Sequence, residues 1–96
     1  MVTMRPATAD SQSVQDFLKA VYTLQQKMER VSTNALAEML SISAPSVTDM
    51  AHRMMLAELV NYEKYHGVRL TETGEREALR VIRRHRLIEL YLVTDL

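Results

Sequence analysis

The sequence predicts a mainly α-helical fold with one short β-hairpin, and three observations lead to that prediction. The chain has 96 residues with only two glycines and two prolines, a composition typical of helices joined by few turns. Apolar residues recur at helical spacing in four separate stretches. Between the third and the fourth stretch, apolar and polar residues alternate instead, as they do in a strand. The length suits one small domain with a modest core.

The composition argues against several classes of protein. Twelve basic and twelve acidic residues give a net charge of zero, so any contact with DNA would depend on locally placed charges. The absence of cysteine excludes a disulfide framework and a zinc–thiolate site. No apolar run approaches the ~20 residues needed to cross a bilayer, and the N-terminus carries no hydrophobic signal segment. We therefore expect a cytoplasmic protein without membrane contact. We do not expect an enzyme, because neither a nucleophile–base pair nor a glycine-rich phosphate loop is visible.

The chain is expected to begin with a flexible arm and a first helix. Residues 1–10 contain little to bury and are interpreted as the arm. Apolar residues then repeat at helical spacing over 11–29. Asp16 and Lys19 lie beside that apolar stripe. The ordinary interpretation of Asp16 is a carboxylate favoured by the dipole near a helix N-terminus.

Two short helices joined by a tight turn are predicted next. Ser32 or Thr33 can cap a helix that runs to Leu40, and Ser41-Ile42-Ser43 forms the turn. Ser43 can also cap the following helix, in which Pro45 stands in the first turn and loses no hydrogen bond there. This is a helix-turn-helix arrangement, although the turn lacks the usual glycine and many helical hairpins share the pattern.

The second helix of this pair has two contrasting faces. One apolar stripe at helical spacing consists of Val47, Met50, Ala51, Met54 and, at its end, Glu58. The opposite side carries Ser46, Thr48, Asp49, His52 and Arg53. A helix that reads DNA presents short hydroxyls to phosphates and longer polar groups to base edges. A solvated amphipathic helix has the same appearance, so the helix alone does not decide between them.

The alternating stretch supports the DNA-binding interpretation. Residues 59–65 alternate, His66-Gly67 can turn the chain, and residues 68–70 return. A hairpin directly after the second helix of a helix-turn-helix is a wing, with Lys64, His66 and Arg69 close to where a phosphate backbone would run. The alternative is an ordinary surface hairpin. We favour the wing because of what precedes it.

A long helix follows, with Thr71 as its cap and acidic residues in its first turn. His85 and Glu89 are four residues apart on it and therefore lie on one face. An imidazole and a carboxylate at this spacing can hold one divalent cation. They can equally form an ion pair, which the nearby arginines at 83, 84 and 86 make the more usual interpretation. Two ligands also do not complete a metal site.

Residues 11–96 resemble the N-terminal part of the metal-dependent repressors of the DtxR/MntR type. The order and spacing of several segments agree without large gaps. The matching segments are Asp16-Phe17-Leu18-Lys19-Ala20-Val21-Tyr22, Ala44-Pro45-Ser46-Val47-Thr48, Tyr62-Glu63-Lys64-Tyr65-His66-Gly67, Leu70-Thr71-Glu72-Thr73-Gly74 and Arg84-His85-Arg86-Leu87-Ile88-Glu89. Each segment is a weak signal by itself, but their joint occurrence is specific.

The resemblance implies a winged helix-turn-helix DNA-binding domain over 11–72, followed over 73–96 by the first long helix of a dimerisation and metal-binding domain. Members are homodimers that bind palindromic operators in double-stranded DNA when loaded with Mn(II) or Fe(II). We therefore expect two sets of functional residues. The DNA-binding set is Ser43, Pro45, Ser46, Thr48, Asp49, Arg53, Lys64 and Arg69. The metal-ligating set is Asp16, His85 and Glu89.

Three features depart from what this resemblance implies. Lys19 stands where manganese-type members place a second carboxylate, so a two-metal site is not expected. The remaining family ligands would lie beyond Leu96, so we expect this fragment not to hold metal tightly. Asp49 stands at a base-reading position, where a carboxylate is repelled by phosphates unless it accepts a hydrogen bond from cytosine.

The leading hypothesis is a metal-responsive, sequence-specific transcriptional repressor. The alternatives are a metal-independent winged-helix regulator, in which His85 and Glu89 form an ordinary pair, and a winged helix used for protein–protein contact. The zero net charge is the main support for the last alternative.

Overall fold

The computed structural model describes residues 12–94, with side chains through Leu87. The elements in chain order are α1 (Gln12–Leu24), α2 (Thr33–Leu40), α3 (Ala44–Leu56), β1 (Val60–Glu63), β2 (Gly67–Leu70) and α4 (Glu72–Thr94). This order confirms the mainly α-helical, winged helix-turn-helix prediction. The predicted arm over 1–10 lies outside the described residues. In the described part, no helix is both long and apolar enough to span a membrane.

The core forms around α1, which packs against α2, α4 and β2. The largest fully buried side chains come from every element of the fold: Phe17, Leu18, Val21, Val31, Leu36, Val47, Met54, Val60, Val68 and Val81. Helical spacing on α1 and α3 and alternation on the hairpin direct these side chains to one interior. The core therefore fixes the orientation of α3 relative to the hairpin.

Helix α1 ends at Leu24, five residues earlier than the apolar pattern predicts. The cause is a tertiary interaction of the segment that follows. Val31 exchanges two backbone hydrogen bonds with Val68, of 2.9 and 2.8 Å, and is fully buried. The side-chain carbonyl of Gln25 accepts a 3.2 Å hydrogen bond from the Leu70 N–H. The chain must leave the helix to make this pairing with β2, which local periodicity cannot reveal.

The turn between α2 and α3 works without glycine because Ser41 adopts the left-handed conformation, with φ of 59°. Both helices are capped by serine: Ser43 as predicted, and Ser32 rather than Thr33 of the two predicted candidates. Ser32 Oγ accepts from the Ala35 N–H at 3.0 Å, and Ser43 Oγ accepts from the Ser46 N–H at 3.2 Å. These caps satisfy N–H groups that the first turn of a helix leaves unpaired.

The hairpin turns earlier than predicted. Val60 pairs with Leu70 and Glu63 with Gly67, so Gly67 lies in β2 and not in the turn. The Glu63 carbonyl accepts from the His66 N–H at 2.9 Å, which places Lys64 and Tyr65 in the turn itself. Gly67 has φ of +94°, and a Cβ there would lie 2.6 Å from the Val31 carbonyl oxygen. Glycine is therefore required by the close approach of the Val31 backbone.

Helix α4 is fixed at its start against the corner between α3 and β1. The Thr71 N–H donates to the Leu59 carbonyl at 3.0 Å, and its hydroxyl donates to the Glu58 carbonyl at 2.8 Å. The same hydroxyl oxygen caps α4 by accepting from the Gly74 N–H at 2.9 Å. These contacts direct α4 back across α1, so that His85 lies over the first helix.

Candidate nucleic-acid interface

The polar face of α3 is presented outward, while its apolar stripe is buried. Ser43, Pro45, Ser46, Asp49 and Arg53 are exposed, and Thr48 is half-buried. The predicted stripe is inside the core at Val47, Met50, Ala51 and Met54. Its predicted end is wrong, because Glu58 lies past the helix, is exposed and has φ of 63°. The helix ends at Leu56, so the spacing that would bury position 58 does not continue.

The start of α3 concentrates hydrogen-bonding groups. Ser43 Oγ lies 2.9 Å from Ser46 Oγ, in addition to capping the helix. Pro45 stands in the first turn. Small hydroxyls and backbone N–H groups at a helix N-terminus favour an anionic partner such as phosphate. The hydroxyl of Thr48 lies one turn further along the helix.

Asp49 and Arg53 form an ion pair along the exposed side of α3. Arg53 Nε lies 3.7 Å from Asp49 Oδ2, and the two side chains are 52% and 74% exposed. An exposed pair of this kind adds little stability. Its effect is electrostatic, since the guanidinium partly offsets the carboxylate charge that would otherwise repel phosphates. The pair gives a physical reason why an aspartate is compatible with this position.

An aromatic contact joins α3 to the wing. The His52 and Tyr62 rings meet edge to face, with their centroids 5.2 Å apart. His52 lies on the polar face of α3 and Tyr62 on β1, so the contact makes the helix face and the hairpin one continuous surface. We call this surface, formed by the outer side of α3 and the hairpin residues 62–66, the α3–wing surface. Sequence reasoning missed this contact, because it depends on how the hairpin folds back on α3.

The tip of the wing carries a cation and an exposed aromatic ring. Lys64 Nζ lies 5.3 Å from the centroid of the Tyr65 ring, and Tyr65 is 91% exposed. Such a distance permits a cation–π interaction. Lys64 belongs to the predicted DNA-binding set, whereas Tyr65 was not singled out. The sequence feature that could have indicated Tyr65 is its position between a lysine and a histidine in the hairpin turn.

Two arginines lie where the wing meets the helix-turn-helix. Arg69 donates a hydrogen bond to the Glu29 carbonyl and is half-buried, so one part of its guanidinium braces the hairpin against the loop after α1. Arg30 is exposed and lines a cleft of about 310 Å³ between the start of α2 and the wing, together with Thr33 and His66. Arg30 was not among the predicted residues, and it adds a cation at the edge of the α3–wing surface.

Two of the three predicted metal ligands have described side chains, and each of them contacts a different residue. Asp16 on α1 is half-buried and accepts a 3.0 Å hydrogen bond from Gln12 Nε2. His85 on α4 faces α1, but its Nδ1 lies 3.4 Å from Lys19 Nζ. The side chain of Glu89 lies outside the described residues. Among the residues that the structure describes, no three acidic, histidine or cysteine side chains form a group able to hold a metal ion. The described donor groups therefore do not fit a metal site, and the ligand set stays a prediction.

The fold and its surface define the class of protein. A helix-turn-helix whose second helix is joined directly to a β-hairpin is a winged helix. Residues 11–68 match the sequence model of the iron dependent repressor, N-terminal DNA binding domain. Residues 71–96 match that of the iron dependent repressor, metal binding and dimerisation domain. The chain belongs to the iron-dependent repressor family of transcriptional regulators, as the resemblance predicted.

Relatives and a solved structure agree with this assignment. The chain is 38% identical over 84 residues to an uncharacterized HTH-type transcriptional regulator of Methanocaldococcus jannaschii, covering 86% of this chain and 67% of that protein. It is 34% identical over 80 residues to the HTH-type transcriptional regulator MntR of Geobacillus thermodenitrificans, covering 83% and 57%. The structure of the manganese regulator SloR superposes with a TM-score of 0.70 and 39% identity, covering 83% of this chain and 37% of that one. The chain thus spans between about half and two thirds of the length of these curated relatives.

Proposed function

We propose that this chain is the DNA-binding part of a metal-responsive transcriptional repressor. The observation that carries the proposal is the α3–wing surface, in which the His52–Tyr62 contact holds the polar face of α3 and the wing together. The major groove of B-DNA admits an α-helix, and a hairpin beside that helix reaches the neighbouring DNA backbone. The match of residues 11–68 to a DNA-binding domain supports the same conclusion.

Each predicted side chain has a role in this proposal. Ser43, Pro45 and Asp49 face the major groove toward base edges. Ser46 and Thr48 are placed mainly on phosphates. Three cations, Arg53, Lys64 and Arg69, add contacts with the DNA backbone. Because the chain has no net charge, this local clustering must supply the electrostatic attraction.

The proposed repressor acts as a homodimer on a palindromic operator and responds to Mn(II) or Fe(II). The match of residues 71–96 to a metal-binding and dimerisation domain supports dimers and a metal, and the name of SloR as a manganese regulator supports manganese. In a dimer, two α3 helices must be spaced by about one DNA turn, ~34 Å. An effector that favours this spacing raises DNA affinity by linkage.

The test begins by selecting duplexes from a randomised DNA library with the wild-type chain. Binding of the selected duplex is then measured by fluorescence anisotropy, with Mn(II), with Fe(II) under anaerobic conditions and with a chelator. We expect affinity that falls with salt and that rises with one of the metals once its concentration is high enough to load a weak site. Equal binding with the chelator would contradict the metal response and leave a metal-independent regulator. Absence of any salt-dependent DNA binding would contradict the proposal as a whole and favour a protein-binding winged helix.

The chain offers a matched pair of variants for this assay. Arg53 and Arg76 are both exposed arginines that pair with a carboxylate four residues earlier, at 3.7 and 3.9 Å. Arg53 lies on the α3–wing surface, and Arg76 lies in the first turns of α4. Arg53→Gln should weaken DNA binding about tenfold, in the range of one lost charge-assisted hydrogen bond. Arg76→Gln should leave it unchanged.

A further inference from the structure

The contact between Lys19 and His85 joins the first helix to α4. Lys19 Nζ lies 3.4 Å from His85 Nδ1, across 66 residues of sequence, and both side chains are half-buried. Just past the end of α1, Gln25 Nε2 donates a 3.0 Å hydrogen bond to Glu75 Oε2 on α4. The two contacts run in opposite chain directions, as expected for antiparallel helices. Lys19 therefore belongs to a built interface rather than to a freely solvated surface.

The chemistry of the contact fixes the role of the imidazole. An ammonium group has three donors and no acceptor. The contact with Lys19 is therefore favourable only when His85 Nδ1 carries no proton and offers its lone pair. In the neutral ring the proton then lies on Nε2. In this arrangement neither ring nitrogen offers a free lone pair, which a metal ion would need.

The positive charges around this contact act in the same direction. The ammonium of Lys19 is a positive charge next to the ring, and exposed arginines follow and precede His85 at positions 83, 84 and 86. Asp16, one helical turn before Lys19, is hydrogen-bonded to Gln12. A divalent cation approaching His85 would have to displace the Lys19 ammonium and overcome its repulsion.

We propose that Lys19 serves as an internal cation that occupies the place beside His85, so that the described residues around this ring do not fit a divalent metal ion. It holds α1 to α4 through His85 without any metal. Lys19 is thus a positioning residue for His85. The inference rests on the proposed function only in that the predicted ligand set includes His85.

The test reads the His85 ring directly. The chain contains three histidines, so long-range ¹H–¹⁵N NMR spectra of the full 96-residue chain resolve each ring, with His85→Asn assigning its signals. In the wild-type chain, His85 should show a proton-free Nδ1 and a protonated Nε2. Zn(II) is then added as the probe. His52 and His66 are exposed and report adventitious binding in the same spectra.

Two charge-removing variants complete the design. Lys19→Gln removes the ammonium, while the Gln25–Glu75 hydrogen bond and the buried packing of Leu18 and Val21 still hold α1 in place. Lys27→Gln removes a charge from an exposed residue just past α1 and is the control. We expect the zinc midpoint of His85 to fall at least tenfold in Lys19→Gln and to stay unchanged in Lys27→Gln.

Several outcomes would overturn the proposal. These are an Nδ1-protonated His85 in the wild-type chain, equal zinc midpoints for wild type and Lys19→Gln, and a His85 ring that zinc shifts in neither protein. If Lys19→Gln does not fold, Lys19→Met keeps the methylene packing and allows the same comparison of zinc midpoints. The tautomer of His85 in the wild-type chain tests the proposal independently of both variants. A chain that binds no DNA would contradict the proposed function but would not alter these spectra, so the two failures are distinguishable.

Discussion

Gly74→Ala tests the placement of α4, because helix propensity and the structure predict opposite signs. Gly74 lies in the first turn of α4, where alanine should stabilise a helix by up to about 1 kcal/mol relative to glycine. In the structure, a Cβ at this position would lie 2.9 Å from the Leu59 carbonyl carbon and closer still to its oxygen. Backbone atoms must therefore move, since no flexible side chain can yield at that point.

The magnitude follows from what that movement disturbs. Overpacking in a well-packed region costs roughly 1–3 kcal/mol. The Leu59 carbonyl also accepts the Thr71 N–H at 3.0 Å, and losing that hydrogen bond adds about 1 kcal/mol. After the propensity gain is subtracted, we expect Gly74→Ala to be destabilised by about 2 kcal/mol, which lowers Tm by roughly 8–16 °C for a domain of this size.

The assay is urea and thermal unfolding followed by far-UV circular dichroism. Thr73→Ala is the control, because Thr73 lies in the same turn of α4 but is exposed. Its free energy of unfolding should change by no more than about 0.5 kcal/mol. A Gly74→Ala variant as stable as wild type, or more stable, would refute the close approach of α4 to Leu59.

Three further predictions concern the helix-turn-helix and the wing. Ser43→Ala and Ser32→Ala each remove one N-cap hydrogen bond and should lower the free energy of unfolding by about 1 kcal/mol. Only Ser43→Ala should also weaken DNA binding beyond that, so equal affinities in anisotropy would remove Ser43 from the interface. Gly67→Ala, at φ of +94° and against the Val31 carbonyl, should destabilise by at least about 1 kcal/mol in urea unfolding, and a smaller loss would contradict the strand pairing there. Asp49→Asn removes a carboxylate 74% exposed on the α3–wing surface. It should raise affinity for random-sequence DNA severalfold in a salt titration, because a repulsion from the phosphates is removed, whereas unchanged affinity would place Asp49 outside the interface.

Local patterns predicted most of the fold. The serine caps at Ser32 and Ser43, the buried stripe of α3 and the threonine cap of α4 all depend on residues a few positions apart. The errors arise where distant segments meet. α1 ends early because Val31 pairs with Val68, and no nearby residue signals that pairing. The wing turn was misplaced for the same reason, since Gly67 is needed for its approach to Val31 and not for a turn.

The DNA-binding part of the candidate site was more predictable from the sequence than the metal-ligating part. The exposed residues of α3 follow from helical spacing, so the α3 members of the proposed DNA-binding set could be chosen from sequence. The His52–Tyr62 contact, which makes the helix and wing one surface, needs the tertiary fold. The metal-ligating set was proposed from spacing and resemblance, and neither could show that Lys19 lies beside His85.

The most direct test of the central claim maps the DNA-binding surface itself. Backbone amide chemical shifts of the ¹⁵N-labelled chain would be followed while a selected duplex is added, at two salt concentrations. The account predicts perturbations over residues 43–53 and 64–66 that weaken at higher salt, with residues 72–80 of α4 little changed. Perturbations concentrated on α4, with α3 and the wing unchanged, would contradict it.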